Sequence, residues 1–100
     1  MKLIELLNDV KTILVEGDVE MEVKGVEIDS RQVKDDYLFV AIRGTQADGH
    51  QYIDKAVAQG AKAVLCEQMP DRKAEGGCYG QVASTEEAAV SYKQPTLPTN

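Results

Sequence analysis

The fold is decided by residues 37–66, which are YLFVAIRGTQADGHQYIDKAVAQGAKAVLC. Residues 37–42 form a continuous apolar run rich in strand formers, which is typical of a strand covered on both faces. A D-x-x-Q capping box at 48–51 then precedes apolar residues that share one helical face, and Gly60 stands where a left-handed C-terminal cap is expected. Residues 61–66 are a second apolar run. The order strand–helix–strand predicts an α/β fold.

The flanking segments predict further elements of the same fold. In chain order they are a short amphipathic helix over 2–10, one or two half-exposed strands over 21–28, a polar loop at 67–77, a strand over 79–82 and a helix over 85–92. The last helix is predicted from an S-x-x-E capping box that begins at Ser84. We therefore expect one α/β domain over residues 1–93, with a small sheet of about four to five strands flanked by helices. Residues 94–100 are expected to be a tail or the start of a linker.

Composition excludes several classes of protein. At 100 residues and 43% hydrophobic composition, the chain can form one domain with a modest core. No apolar run approaches the roughly 18 residues of a membrane span, and Glu5 and Asp9 interrupt the apolar start, so we expect a cytoplasmic protein with no membrane partner. A net charge of −6 and the absence of Trp argue against nucleic-acid binding.

The sequence contains no self-contained active site and no metal site. It lacks a G-x-x-x-x-G-K-[ST] loop, a G-x-G-x-x-G turn and a G-x-S-x-G elbow. Cys66 and Cys78 are too far apart for a zinc pair, with His50 as the only histidine, and are interpreted as buried thiols. Asp35 and Asp36 are interpreted as a solvated turn. We predict no catalytic residue and no metal ligand.

Two loops are better candidates for binding. Asp29-Ser30-Arg31 follows a predicted strand, at the end where α/β sheets collect ligands, and the segment from Arg43 to Gly49 leads into a helix and can present amide donors to an anion. Each has a plainer explanation. The first pattern is also typical of an Asx turn with an exposed arginine, and the second of a simple strand-to-helix connection. His50 alone is interpreted as surface at the start of a helix.

The combined spacing of these elements is far more specific than any one of them. It resembles the N-terminal domain of the Mur ligases of peptidoglycan synthesis, and most of all that of the UDP-N-acetylmuramoyl-tripeptide synthetases. The residues that carry the resemblance are Asp29-Ser30-Arg31, Val33, Leu38-Phe39-Val40-Ala41, Gly44, Asp48-Gly49-His50, Tyr52-Ile53, Ala56 and Gly60-Ala61.

The resemblance implies that this domain holds the uridine-diphosphate end of UDP-N-acetylmuramoyl-L-alanyl-D-glutamate. The positions that match the family's substrate contacts are Ile28, Ser30, Thr45, Gln46 and Ala47. A serine hydroxyl and backbone groups suit the acceptor–donor–acceptor edge of uracil, while an isoleucine side chain suits its face. Arg31 and Arg43 are candidate phosphate contacts.

The resemblance also implies what the 100 residues lack. Members of the family add lysine or meso-diaminopimelate with ATP and magnesium, through an ATP-binding loop that should follow shortly after the helix near residue 90. That loop is not in the sequence. We expect the central and C-terminal domains of the same enzyme as partners, no cofactor in this chain, and no activity of the chain alone.

The sequence allows two alternative functions and shows one departure from the family pattern. The same domain occurs in the ligase that adds D-alanyl-D-alanine, and a stand-alone, non-catalytic binding module is a rival from another class. The departure is Asp36, where the family usually has glycine. Glycine there indicates a positive φ, so we expect a positive φ at Asp36 with a small stability cost.

Overall fold

The computed structural model describes residues 2–8, 10–42, 49–70 and 76–93, with backbone alone for 91–93. The strands are β1 (Thr12–Glu16), β2 (Gly25–Glu27), β3 (Tyr37–Val40), β4 (Ala63–Cys66) and β5 (Cys78–Val82). The α-helices are α1 (Leu3–Leu7), α2 (Ile53–Gln59) and α3 (Thr85–Lys93), and short 3-10 turns span Ser30–Gln32 and Gly49–Tyr52. The expected tail at 94–100 lies outside the described residues.

The strands form one mixed sheet in the order β1-β5-β4-β3-β2. β2, β3, β4 and β5 run parallel to their neighbours, and β1 pairs antiparallel with β5 at the edge. The carboxyl ends of the four parallel strands therefore lie along one edge of the sheet. The predicted α/β class and the number of strands are confirmed.

The central strands are buried on both faces, as their continuous apolar runs predicted. In β3, Leu38 and Val40 pack with α1 and α3, while Phe39 between them packs with α2 on the other face. All three side chains are at most 1% exposed. The alternation follows from the two-residue period of a strand, and it makes a three-layer sandwich with the sheet in the middle.

The N-terminal third departs from prediction. β1 was not predicted, and only residues 25–27 of the stretch predicted over 21–28 join the sheet as a strand. The carbonyls of Met21 and Val19 instead accept hydrogen bonds from the Leu3 and Ile4 amides, at 2.9 and 2.8 Å, and so satisfy the start of α1. The predicted helix over 2–10 is shorter and ends at Leu7.

Both ends of α2 were predicted, and only one end is confirmed. Gly60 has φ 124°, its amide bonds to the Val57 carbonyl and the Ala61 amide to the Ala56 carbonyl, each at 3.0 Å. This is a Schellman cap. The predicted capping box at 48–51 does not cap the helix, because a 3-10 turn intervenes and Tyr52 occupies the N-cap position without a side-chain bond. Asp48 lies outside the described residues.

The departure from the family pattern at Asp36 has the expected backbone. Asp36 has φ 64°, in the left-handed region, which aspartate tolerates better than most residues. Its carboxylate lies 3.6 Å from the Lys24 ammonium and 3.4 Å from that of Lys62. These contacts partly offset the backbone cost, and the turn at 35–36 is confirmed.

Candidate functional site

A cavity of about 600 Å³ opens at the carboxyl ends of β2 and β3. It is lined by Ile28, Asp29, Ser30, Arg31, Phe39, Ile42, Gly49, Tyr52 and Lys55. Three predicted site residues, Ile28, Ser30 and Arg31, are thus brought to one place. Thr45, Gln46 and Ala47, with the candidate phosphate contact Arg43, lie outside the described residues.

The first wall is a tight turn built by Asp29. The Asp29 carboxylate accepts a hydrogen bond from the Arg31 amide at 2.9 Å, and the 3-10 turn follows. The plainer interpretation of this motif, an Asx turn, is therefore confirmed. It does not compete with a binding role, because the same turn lines the cavity.

Arg31 is held by the same carboxylate. Its Nε lies 3.1 Å from Asp29 Oδ1 and its Nη2 lies 2.9 Å from Asp29 Oδ2, which is a two-point ion pair. The side-chain and backbone hydrogen bonds from Arg31 lower the pKa of Asp29 to about 2, and the carboxylate raises the pKa of Arg31 in turn. The positive charge of Arg31 is thus largely compensated within the turn.

In this turn, the amide and the hydroxyl of Ser30 are the hydrogen-bond donors that remain available to a ligand. The Ile28 and Asp29 amides approach the Glu27 carboxylate at 3.2 and 3.4 Å, and the Arg31 amide is taken by Asp29. Among the described residues, nothing accepts a hydrogen bond from the Ser30 amide or hydroxyl. The Ser30 carbonyl accepts from the side chain of Gln59, at the end of α2, which fixes the turn against that helix.

The second wall of the cavity begins at Gly49, the first described residue after Ile42. The Gly49 amide donates to the Ile42 carbonyl at 2.7 Å, so both ends of the intervening segment meet at the cavity. A Cβ on Gly49 would lie 2.7 Å from the Ile42 nitrogen and 2.8 Å from its oxygen. Only glycine permits this approach of two backbones.

The start of α2 completes the second wall with Tyr52 and Lys55. Tyr52 is 41% exposed, and Lys55 follows it by three residues, the spacing of neighbours on one helical face. Lys55 was not among the predicted site residues. The sequence carried only a weak signal for it, the spacing of three residues from Tyr52.

His50 is half-buried and holds the turn before α2 in place through two hydrogen bonds. Its Nε2 accepts hydrogen bonds from the Glu67 and Gln68 amides, at 2.9 and 3.1 Å. His50 lies at the start of the helix as interpreted, in the 3-10 turn before α2, and it also ties that turn to the chain that leaves β4.

The two cysteines are buried and unbridged, as predicted. The Cys66 thiol lies 3.5 Å from the Gly80 carbonyl oxygen and 3.8 Å from the Met69 sulfur, and burial raises the pKa of Cys78. Within the described ranges, no group of three or more His, Cys, Asp or Glu residues is placed to hold a metal ion. None of the helices in those ranges is long and apolar enough to cross a bilayer.

The sequence is similar to curated ligases along most of its length. A UDP-N-acetylmuramoyl-L-alanyl-D-glutamate–2,6-diaminopimelate ligase of Bacteroides fragilis is 50% identical over 88 residues, which are 88% of this chain and 18% of the relative. The ligase of the same name from Bacteroides thetaiotaomicron is 48% identical over 88 residues, with the same coverage of each chain. This chain therefore spans about a fifth of the length of these relatives.

The fold is shared with solved structures of another ligase. MurF from Acinetobacter baumannii superposes with a TM-score of 0.78 at 21% identity, over 95% of this chain and 21% of that one. MurF from Thermotoga maritima, in complex with ADP, gives a TM-score of 0.60 at 25% identity, over 77% and 18% of the two chains. A model described as "Mur ligase family, catalytic domain" matches residues 22–99. With that match and relatives at 50% identity, the chain belongs to the Mur ligase family, as its motifs predicted.

Proposed function

We propose that the cavity binds the uridine-diphosphate end of UDP-N-acetylmuramoyl-L-alanyl-D-glutamate for a ligase that adds the third amino acid. One observation carries the proposal. Ile28 and Ser30, which match positions of the family's substrate contacts, line a single cavity at the carboxyl ends of parallel strands, together with the candidate phosphate contact Arg31. That edge is where open α/β sheets bind ligands.

The size and chemistry of the cavity support a nucleotide. About 600 Å³ lies within the range of small-molecule sites. Ile28 and Phe39 offer apolar surface to a uracil ring, and the Ser30 hydroxyl and amide suit its polar edge. The segment that holds Thr45, Gln46 and Ala47 leaves from Ile42 and returns at Gly49, both at the cavity. These three residues stay in the proposal as further contacts.

The charge of the cavity also favours an anion. Its charged lining residues among those described are two cations, Arg31 and Lys55, and one carboxylate, Asp29, which gives a net charge of +1. The whole chain has a net charge of −6. A locally positive cavity on an acidic protein attracts a diphosphate and is weakened by salt.

The names of the relatives favour 2,6-diaminopimelate over lysine as the amino acid added. They also favour this ligase over the one that adds D-alanyl-D-alanine, because similarity to MurF at 21% identity indicates the fold alone. We place the protein in the cytoplasm, where its nucleotide substrate would be made. ATP and magnesium belong to the proposed whole enzyme. The described residues hold no suitable metal cluster, so no chemical step is assigned to them.

An NMR titration of the labelled chain with uridine, UMP, UDP and the UDP-muramoyl dipeptide tests the site, with ADP as the control ligand. We expect shifts at Ile28–Arg31 and at Gly49 for uridine ligands and none for ADP. The absence of shifts with every uridine ligand would overturn the proposal and favour a non-catalytic module of another kind.

Ser30→Ala is the sharpest variant, and Gln32→Ala is its control on the same turn. Gln32 is exposed and does not line the cavity, whereas Ser30 is 7% exposed. Loss of one hydrogen bond should weaken uridine binding about three- to tenfold in Ser30→Ala, with a melting temperature within a few degrees of the parent. Gln32→Ala should bind like the parent. Equal binding by all three proteins would show that the site is misplaced.

A further inference from the structure

The two cations of the cavity differ in whether they already form an ion pair with a neighbouring residue. The Arg31 guanidinium donates from Nε and Nη2 to Asp29, at 3.1 and 2.9 Å. Lys55 makes no ion pair or hydrogen bond with any other residue in the described ranges, and it is exposed on α2 at the cavity wall. An ammonium with no ion-pair partner among the described residues and a guanidinium paired with Asp29 therefore line the same cavity.

We propose that Lys55, and not Arg31, is the cation that holds the diphosphate, while Asp29 keeps Arg31 in the turn. The inference rests on the proposed uridine-nucleotide site and adds a specificity-determining residue to it. It also replaces the expectation from sequence that Arg31 contacts phosphate.

The argument against Arg31 is electrostatic. Asp29 and Arg31 are two residues apart, and the carboxylate binds both the backbone amide and the side chain of Arg31. A phosphate that approached Arg31 would come close to the Asp29 carboxylate as well, and two anions in close proximity repel each other. Moving the guanidinium away to meet the phosphate would break a two-point ion pair and expose the carboxylate further.

Lys55 has no ion pair to break within the described residues. It lines the cavity from α2, three residues after Tyr52, and its ammonium has three donors on a flexible stem. Its charge still acts on the turn, since it contributes to the lowered pKa of Asp29. Ser30 and Lys55 line the same cavity, so one ligand in it can contact both.

The test compares UDP with uridine, because only UDP has phosphates. Lys55→Gln should weaken UDP binding about five- to tenfold at low salt and leave uridine binding within about twofold of the parent. Lys62→Gln is the matched control, because Lys62 pairs with Asp36 outside the cavity. Arg31→Gln should lower UDP affinity by less than about twofold. Asp29→Asn, which keeps an acceptor for the Arg31 amide, should raise UDP affinity because it removes the repelling charge and releases Arg31.

Failure of the inference and failure of the proposed function are distinguishable. If the parent binds neither UDP nor uridine, the nucleotide site itself is wrong, and the role of Lys55 is wrong with it. If the parent prefers UDP to uridine and Lys55→Gln keeps that preference, only the role of Lys55 is overturned. Loss of the preference in Arg31→Gln would return the phosphate contact to the arginine.

Discussion

Gly49→Ala tests whether the close approach of two backbones holds the cavity together. The added methyl group would lie 2.7 and 2.8 Å from the Ile42 nitrogen and oxygen and 3.0 Å from the Ala41 carbonyl carbon. These atoms belong to the backbone just after β3, so no side chain can rotate away. The two segments must separate by several tenths of an ångström, which weakens the 2.7 Å bond from the Gly49 amide to Ile42.

The expected cost has two parts. Overpacking against a fixed backbone costs about 1–3 kcal/mol, and a weakened backbone hydrogen bond about 1 kcal/mol. We therefore expect Gly49→Ala to lower the free energy of unfolding by about 2–4 kcal/mol, against a total of about 5–15 kcal/mol for a domain of this size. The melting temperature should fall by roughly 10 °C or more.

Urea unfolding followed by far-UV circular dichroism measures this loss, with Gly76→Ala as the matched control. Gly76 has φ 80° and no atom within 4 Å of its virtual Cβ, so alanine there tests backbone conformation without contact. Gly49 lacks a positive φ, so alanine there tests contact alone. Gly76→Ala should cost about 1 kcal/mol. A Gly49→Ala protein that loses no more stability than Gly76→Ala would refute the steric argument.

Three further perturbations test the turn, the histidine and the ion pair. Asp36→Val should cost about 1–2 kcal/mol in urea unfolding because a β-branched residue resists φ 64°, whereas Asp36→Gly should stay within about 1 kcal/mol of the parent. His50→Ala should cost about 2 kcal/mol and speed amide exchange at Glu67, which loses its acceptor; unchanged exchange would contradict the assigned bond. The pKa of Asp29 is lowered to about 2 from 3.8, so its ionisation adds stability above about pH 4 that is lost as the pH falls through 2. A carbon-13 carboxyl titration should give the low value in the parent and a value near 3.8 in Arg31→Gln.

The parallel core was predictable from sequence because its signals are local. β3 and β4 are continuous apolar runs, and Gly60 ends α2 with the backbone that its position predicted. The positive φ of Asp36 was equally accessible, since the resemblance to the family implies a glycine at that position, which marks a backbone that most residues avoid. In each case the residues that determine the local structure lie within one short stretch of the chain.

β1 was not predicted because the pairing that stabilises it involves a strand that is distant in sequence. Its residues are mostly exposed, with Ile13 at 65% and Leu14 at 46%, so it lacks the alternation of a half-buried strand. It forms because β5, far along the chain, offers an unpaired edge. Lys55 was missed for a related reason. A single lysine on a helix is ordinary, and only the fold shows that it lines the same cavity as Ser30.

The motif residues of this chain are of two kinds: some hold the backbone around the cavity in place, and others line the cavity. This division explains why the combined pattern is specific although no part of it is catalytic. Gly49 permits a backbone crossing, and His50 accepts two amides from the chain after β4. Glu67, whose amide bonds to His50, also accepts from the Thr85 amide and hydroxyl, at 2.9 and 3.1 Å, at the start of α3. His50 is thereby linked through Glu67 to the start of the last helix. Ser30 and Lys55 are then presented by a rigid frame, so a change in any support should alter ligand affinity through the position of the contacts.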